Sequence, residues 1–318
     1  MIGGCGISGL RLTRGVASPL TSYTHPLTPA QAETLRGLLD ERGFEFRELP
    51  HTLFAAGKDK LNIAVYEQGP KVLVQGKATE EFVRFTLEPE VLGEAKLGYE
   101  EELNPEMFEP HFGIDESGKG DFFGPLVVAG AYTDRGIART LLDAGVADSK
   151  KIADSKIKKL AAMIRETRGL DHEVIMIGPK KYNELYQKIG NLNKLLAWAH
   201  AAAIERLCER RPECGRALSD QFANPSRLRA ALGERGRGIQ LQQRTKAESD
   251  IAVAAASILA RNKFVWWMEK ASEKFGLEIP KGASAAVRKA AGKLVDEHGT
   301  GILHELTKTH FKTAAEWL

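Results

Sequence analysis

The segment Gly113-Ile-Asp-Glu-Ser-Gly-Lys-Gly-Asp-Phe-Phe-Gly-Pro125 constrains this 318-residue chain more than any other. Apolar runs at 112–115 and 125–132 flank a glycine-rich turn, a pattern that predicts two strands paired as a hairpin. The first strand ends in Asp115 and Glu116. Adjacent like charges beside a core cost free energy unless a cation stands near them. The glycines at 113, 118, 120 and 124 permit positive φ and close approach of backbone to a ligand. Gly118-Lys119-Gly120 therefore reads as a turn whose amides face a sugar-phosphate while the Lys119 ammonium meets a phosphate. A plain tight turn explains the same glycines equally well, and the two readings are compatible.

Further carboxylates lie at the ends of downstream elements. Strand candidates fall at 174–177, 216–219 and 239–242, alternating with helices near 154–165, 193–210 and 248–270, which predicts a mixed sheet with helices on its faces. Asp220 ends the second of these strands. Glu248 and Asp250 open the apolar helix that continues Ile251-Ala-Val-Ala-Ala-Ala-Ser-Ile-Leu259. A carboxylate at a helix start is usually a capping group. Several acids gathered at element ends, however, form the oxygen-rich donor set that divalent cations use in phosphodiester hydrolysis.

Upstream, Thr28 is positioned to cap a helix with Pro29 in its first turn, ending near Gly43. Alternating runs at 44–49, 52–56, 61–66 and 72–75 predict a four-stranded meander, and 79–87 returns to helical spacing. The acidic, Gly- and Pro-bearing stretch from 88 to 110 reads as a connector. It divides the chain into an N-terminal domain 1–90, a linker 91–110 and a larger domain 111–318.

With 43% hydrophobic and 27% charged residues the chain has the composition of a globular protein, and its net charge of +3 permits a polyanionic partner without demanding one. Lysines cluster in Asp148-Ser-Lys-Lys151 and Lys156-Ile-Lys-Lys159. The three cysteines, Cys5, Cys208 and Cys214, suit neither a disulfide framework nor a zinc site, and no segment is apolar enough for a signal peptide or membrane span. A cytoplasmic protein without membrane attachment is expected.

Residues 113–119 also match the G-x-x-x-x-G-K spacing of a phosphate-binding loop, but Gly120 stands where a Ser or Thr would hold magnesium. Asp115 and Glu116 would moreover repel a triphosphate, which argues against an NTPase. His200, in an Ala-rich helix, is expected to be a packed helix residue and not a ligand. Trp266 and Trp267 are read as including one core anchor.

Taken together, the 113–125 segment, Asp148-Ser-Lys-Lys151, Asp220-Gln-Phe222, Ala254-Ala-Ala-Ser-Ile-Leu-Ala-Arg261 and Lys308-Thr-His-Phe311 resemble, in order, the motifs of the type 2 ribonucleases H, and within that family its HIII branch. The resemblance covers 112–312. It implies an α/β fold, with a ribonuclease H-like mixed sheet flanked by helices behind a small N-terminal α+β, TATA-binding-protein-like domain that holds substrate. It further implies endonucleolytic hydrolysis of the RNA strand of RNA/DNA hybrids with two divalent ions, Mg2+ or Mn2+, leaving 5′-phosphate and 3′-hydroxyl ends. Asp115, Glu116 and Asp220 would bind the ions with a fourth acid, Asp250 or Glu248, of which the shorter Asp250 is slightly favoured. Ser117, Gly118, Lys119, Gly120, Ser149 and Lys150 would contact substrate. No obligate protein partner is implied, and a monomer is expected. Incision at single embedded ribonucleotides, in the manner of the HII branch, and non-catalytic nucleic-acid binding are the alternatives.

Overall fold

The computed structural model describes residues 20–93, 101, 104–147, 149 and 152–318. The opening segment with Cys5, as well as Asp148, Lys150 and Lys151, lies outside them. The described residues form two compact units divided between Leu103 and Asn104.

In the N-terminal unit, strand β1 (Ser22–Pro26) precedes helix α1 (Pro29–Glu41). Thr28 and Gln31 form a reciprocal capping box at the helix start, each side chain taking up the other's backbone N–H, with Pro29 in the first turn. Strands β2 (Glu45–Arg47), β3 (Thr52–Lys58), β4 (Leu61–Tyr66) and β5 (Lys71–Gly76) are the expected meander. The sheet has a fifth member, because β1 pairs antiparallel with β5 to give the order β1-β5-β4-β3-β2. Helix α2 (Thr79–Phe82) runs on as a wider helical segment, Val83–Leu92, which carries Pro89 and passes the expected boundary at 90. Leu35 and Leu39 of α1 share a core with Phe54, Ile63, Val65, Val72, Val74 and Leu87. Among the described residues this core lies on one face of the sheet.

The larger unit begins with a 3-10 turn, Pro105–Phe108, that buries Met107 and Phe108 in that unit's core, so less of the chain serves as connector than the sequence suggests. Strands β6 (His111–Ser117) and β7 (Leu126–Thr133) pair antiparallel as the expected hairpin. After α3 (Arg135–Asp143) and α4 (Asp154–Glu166), β8 (His172–Ile177) pairs with β7. Helices α5 (Pro179–Ile189) and α6 (Leu192–Arg210) lead to β9 (Arg216–Asp220), which lies parallel to β6. Helix α7 (Pro225–Ala231) and strand β10 (Gln240–Arg244) complete the sheet order β10-β9-β6-β7-β8. Helices α8 (Ile251–Phe275), α9 (Ala285–His298) and α10 (Gly301–Leu306) follow.

Gly113 explains how α8 seats on this sheet. A Cβ there would lie 2.1 Å from the carbonyl carbon of Ala252 and 2.2 Å from the amide of Val253, so only glycine lets the helix backbone rest on β6. Residues 251–260 are all buried, which accounts for the unbroken run of small and aliphatic side chains. On the opposite face, α6 packs Leu207 near Gly130 and Ile114. Alternation along β6 therefore sends Asp115 toward α8 and Glu116 toward α6.

Candidate active site

The parallel pairing of β6 with β9 aligns Ile114 with Ser219. One residue further along each strand come Asp115 and Asp220, neighbours on adjacent parallel strands at the rim of the sheet. Asp115 is buried, its Oδ1 accepting from the Glu116 amide at 2.8 Å. Ser257 of α8, which favours the ionised Asp115, has its hydroxyl 2.7 Å from that of Ser149. Asp220, half-buried, accepts from the amide of Ala247 at 3.3 Å.

Electrostatics set the two acids of β6 apart. Burial, then the charge of Glu116, push the Asp115 carboxyl up to about 7, with Asp220 adding to the push. Burial also pushes Glu116 upward, but the hydrogen bond and charge of His200, followed by those of Lys119, outweigh it and hold Glu116 below its ordinary range. Glu116 Oε2 lies 3.1 Å from His200 Nε2, and Oε1 lies 3.5 Å from Lys119 Nζ. Glu116 thus leans toward α6. Among the described residues no three Asp, Glu, His or Cys side chains close on one point as a finished cation cage.

The turn beyond Glu116 is tightly specified. Gly118 has φ +87°, and a Cβ there would fall 2.1 Å from the Pro125 carbonyl oxygen. Gly124 also has positive φ and is hemmed in by Met268 and Phe264, whereas none of the described residues crowds Gly120. Beside the turn opens a cavity of about 290 Å³ lined by Glu116, Ser117, Asp121, Ser149, Ser257, Arg261 and Lys281 among others. Ser117 and Ser149 therefore share a cavity with Glu116, while Lys150 lies outside the described residues. Two larger hollows, of about 500 and 490 Å³, surround Phe46 and Arg47 in the N-terminal unit but hold none of the candidate site residues.

The two candidates for the fourth acid sit in different surroundings. Asp250, favoured from sequence, is the N-cap of α8: its Oδ1 accepts from Ala252 N at 2.9 Å and Val253 N at 3.2 Å. The same carboxylate meets the buried His111 Nε2 at 3.0 and 3.1 Å. His111 stands four residues before Asp115 on β6, about 13 Å along the strand. Asp250 thus caps α8 and pairs with His111. Glu248 instead belongs to the short turn Ala247–Ser249, whose first amide touches Asp220.

Comparison with known proteins decides the family. The sequence profile described as Ribonuclease HII matches residues 112–314. Ribonuclease HIII of Chlamydia abortus is 42% identical over 298 residues, spanning 93% of this chain and 97% of that protein. The chain belongs to the type 2 ribonuclease H family, on its ribonuclease HIII branch. Ribonuclease HIII of Protochlamydia amoebophila is 40% identical over 296 residues, spanning 93% of this chain and 96% of that protein. Among solved structures, Bst-RNase HIII in complex with Mn2+ superposes with a TM-score of 0.64 at 30% identity, covering 93% of this chain and 97% of that one. The ribonuclease H-like sheet flanked by helices is therefore the fold of this chain.

In this member of the ribonuclease HIII branch, two residues of the site were passed over in sequence. His200 is fully buried, as a packed helix residue should be, yet both ring nitrogens are engaged, one with Glu116 and the other with Ser219 Oγ at 3.0 Å. A histidine amid alanines carries no spacing signal that points to partners 19 and 84 residues away. Ser257 sits inside the Ala254-Ala-Ala-Ser motif and looks like one more small core residue until α8 brings it to Asp115.

Proposed function

We propose that the carboxylates at the ends of β6 and β9 form the cation-binding centre with which this chain, a ribonuclease H, hydrolyses the RNA strand of RNA/DNA hybrids. The observation that carries this reading is Asp115: a buried acid held beside Glu116 and Asp220, and pushed up to about 7 by burial and by their charge. Such a group is stabilised in its ionised form by an adjacent cation. The donors are all carboxylate oxygens at a solvent-reaching rim, a set that suits Mg2+ or Mn2+ and not a softer metal. Asp115, Glu116 and Asp220 would hold two such ions, with Glu248 as the fourth acid. Loading competes with the Lys119–Glu116 ion pair.

When bound, the ions neutralise charge on the phosphate and make the attacking water more acidic. The chain's own groups do the rest. Asp115 is oriented by Ser257 and the Glu116 amide, and Glu116 by His200. The backbone of Gly118, Lys119 and Gly120, together with Ser117 and Ser149, receives the ribose 2′-hydroxyl and its phosphate, the feature that separates RNA from DNA. Water attacks phosphorus in line, and the bond to the 3′ oxygen breaks. The leaving oxygen takes a proton, giving 5′-phosphate and 3′-hydroxyl ends.

The sheet face of the N-terminal unit opposite α1 supports a role in holding the duplex through backbone contacts. There Arg47, bonded to Asn62 at 2.7 Å, and the exposed Lys71 lie opposite the face that buries Val72 and Val74. The enzyme works as a monomer in the cytoplasm in this reading. Among the described residues no helix is long and apolar enough to cross a membrane.

The test uses end-labelled RNA/DNA hybrid and a DNA duplex carrying one ribonucleotide, each with Mg2+, Mn2+ or EDTA. Cation-dependent internal cuts in the hybrid, with 5′-phosphate ends, are expected. No cleavage of either substrate rejects the reading, and strong preference for the single ribonucleotide would replace it with HII-like incision.

A further inference from the structure

Lys308 is a fully buried lysine to which the reaction gives no task. Its Nζ donates to three backbone carbonyls of the glycine turn: Asp121 at 2.8 Å, Phe123 at 3.3 Å and Gly124 at 2.7 Å. Its own amide donates to the Phe122 carbonyl at 2.8 Å, and the Gly124 amide donates to Leu306 O at 2.9 Å, so the tail pairs with the turn like a short strand. From the other side, the Phe122 amide donates to Gly282 O at 2.9 Å and the Asp121 carboxylate accepts from the Gly282 amide at 2.6 Å.

The tail is itself anchored. Asn183 of α5 donates to the carbonyls of His304 and Thr307 and accepts from the Thr309 amide at 3.0 Å. The Tyr182 ring, also fully buried, lies 5.8 Å from Nζ. Burial pushes the ammonium down to about 7, opposed by the charge of Asp121. An aliphatic residue of the same length would fill this space without that cost. It could not draw three carbonyls onto one point, and three are what a single ammonium can satisfy.

We propose that Lys308 is a positioning residue for substrate recognition, locking residues 121–124 so that the Gly118–Gly120 backbone is preset to receive the ribose. The proposal rests on the reading of that turn as the ribose-contacting element. Lys308 touches neither substrate nor the carboxylates. It acts through the backbone that joins Gly124 to Gly118, whose carbonyl is closed onto the Asp121 amide. Loosening this backbone leaves the acids in place but makes substrate order the turn on binding.

The experiment compares Lys308→Met, Asn183→Ala and Gly118→Ala with the wild-type chain. It reads steady-state cleavage of hybrid, Mn2+ affinity by calorimetry, and folding by circular dichroism. Lys308→Met is expected to raise KM for hybrid about tenfold or more, with kcat lowered much less and Mn2+ affinity within about twofold of wild type. Asn183→Ala, which loosens the tail but keeps the ammonium, is expected to raise KM about threefold. A folded Lys308→Met with wild-type KM overturns the proposal. So does an unfolded Lys308→Met accompanied by unchanged KM in Asn183→Ala. Gly118→Ala separates the two levels: if it leaves KM unchanged, the reading of the turn fails and the role of Lys308 with it. If Gly118→Ala raises KM and the other two variants do not, only the role of Lys308 is rejected.

Discussion

Removing the charge of Asp115 should make the cation-free protein more stable at neutral pH while abolishing catalysis. The carboxyl is raised from 3.8 to about 7 by burial and by its acidic neighbours. Between those values the native chain holds a proton that the unfolded chain has released. Stability therefore falls as pH rises through this window and levels off above about 7. From pH 5 to pH 7 the interval is two units, and each is worth about 1.4 kcal/mol, so wild type should lose about 3 kcal/mol between pH 5 and pH 8 from this group alone. In Asp115→Asn the side chain is neutral at every pH and carries no such penalty, yet its amide oxygen can still accept from the Glu116 N–H.

Urea denaturation of wild type and Asp115→Asn in EDTA at pH 5 and pH 8 measures the difference, in which histidine titrations common to both proteins cancel. The variant should gain about 1–3 kcal/mol on wild type across that interval, the lower value allowing for water entering the rim. Saturating Mg2+ should then stabilise wild type and not the variant. Parallel pH dependence of the two proteins, within about 0.5 kcal/mol, would refute the claim that Asp115 is a strained acid awaiting a cation.

Asp250→Ala should destabilise the fold by about 3 kcal/mol in urea titrations, since it strips the α8 cap and leaves Nε2 of the buried His111 without its carboxylate, only Nδ1 keeping a partner in the Glu109 carbonyl. Glu248→Gln should leave stability within about 0.5 kcal/mol of wild type but lower kcat, and the opposite pattern would restore Asp250 as the fourth acid. Gly113→Ala should cost about 3 kcal/mol or more by the same assay, because the added methyl meets helix backbone and not a side chain that can swing aside. His200→Ala should weaken Mn2+ binding by about tenfold in calorimetry, whereas His200→Gln, which can still donate to Glu116, should recover part of it; equal affinities would remove His200 from the account.

How much of this was legible in sequence depended on whether the signal was local. The β6–β7 hairpin was readable because apolar strand, glycine turn and apolar strand are contiguous. The α1 start was readable because Thr28, Pro29 and Gln31 carry the capping chemistry themselves. Strand β1 was not, since it is a short edge strand, half polar, that is defined only by pairing with β5 much later in the chain. Asp115, Glu116 and Asp220 could be nominated from their positions at strand ends, but only the Ile114–Ser219 register brings two of them side by side.

Asp250 and Glu248 show the opposite limit. Both sit at the start of one helix, and the contact of Asp250 with His111, 139 residues away, is one that no spacing rule reveals. The lysine at 308 was visible only as part of a motif, because a clamp on backbone carbonyls leaves no pattern in the residues that it clamps.

The central claim is that acids from two strands far apart in sequence make one cation-dependent cutting site. Asp220→Asn tests it most directly, in a cleavage assay on labelled RNA/DNA hybrid with Mg2+ or Mn2+. Cleavage should fall by at least about a thousandfold while circular dichroism and hybrid binding in EDTA stay at wild-type levels. A folded Asp220→Asn protein that cuts hybrid at a rate near that of wild type would contradict the account.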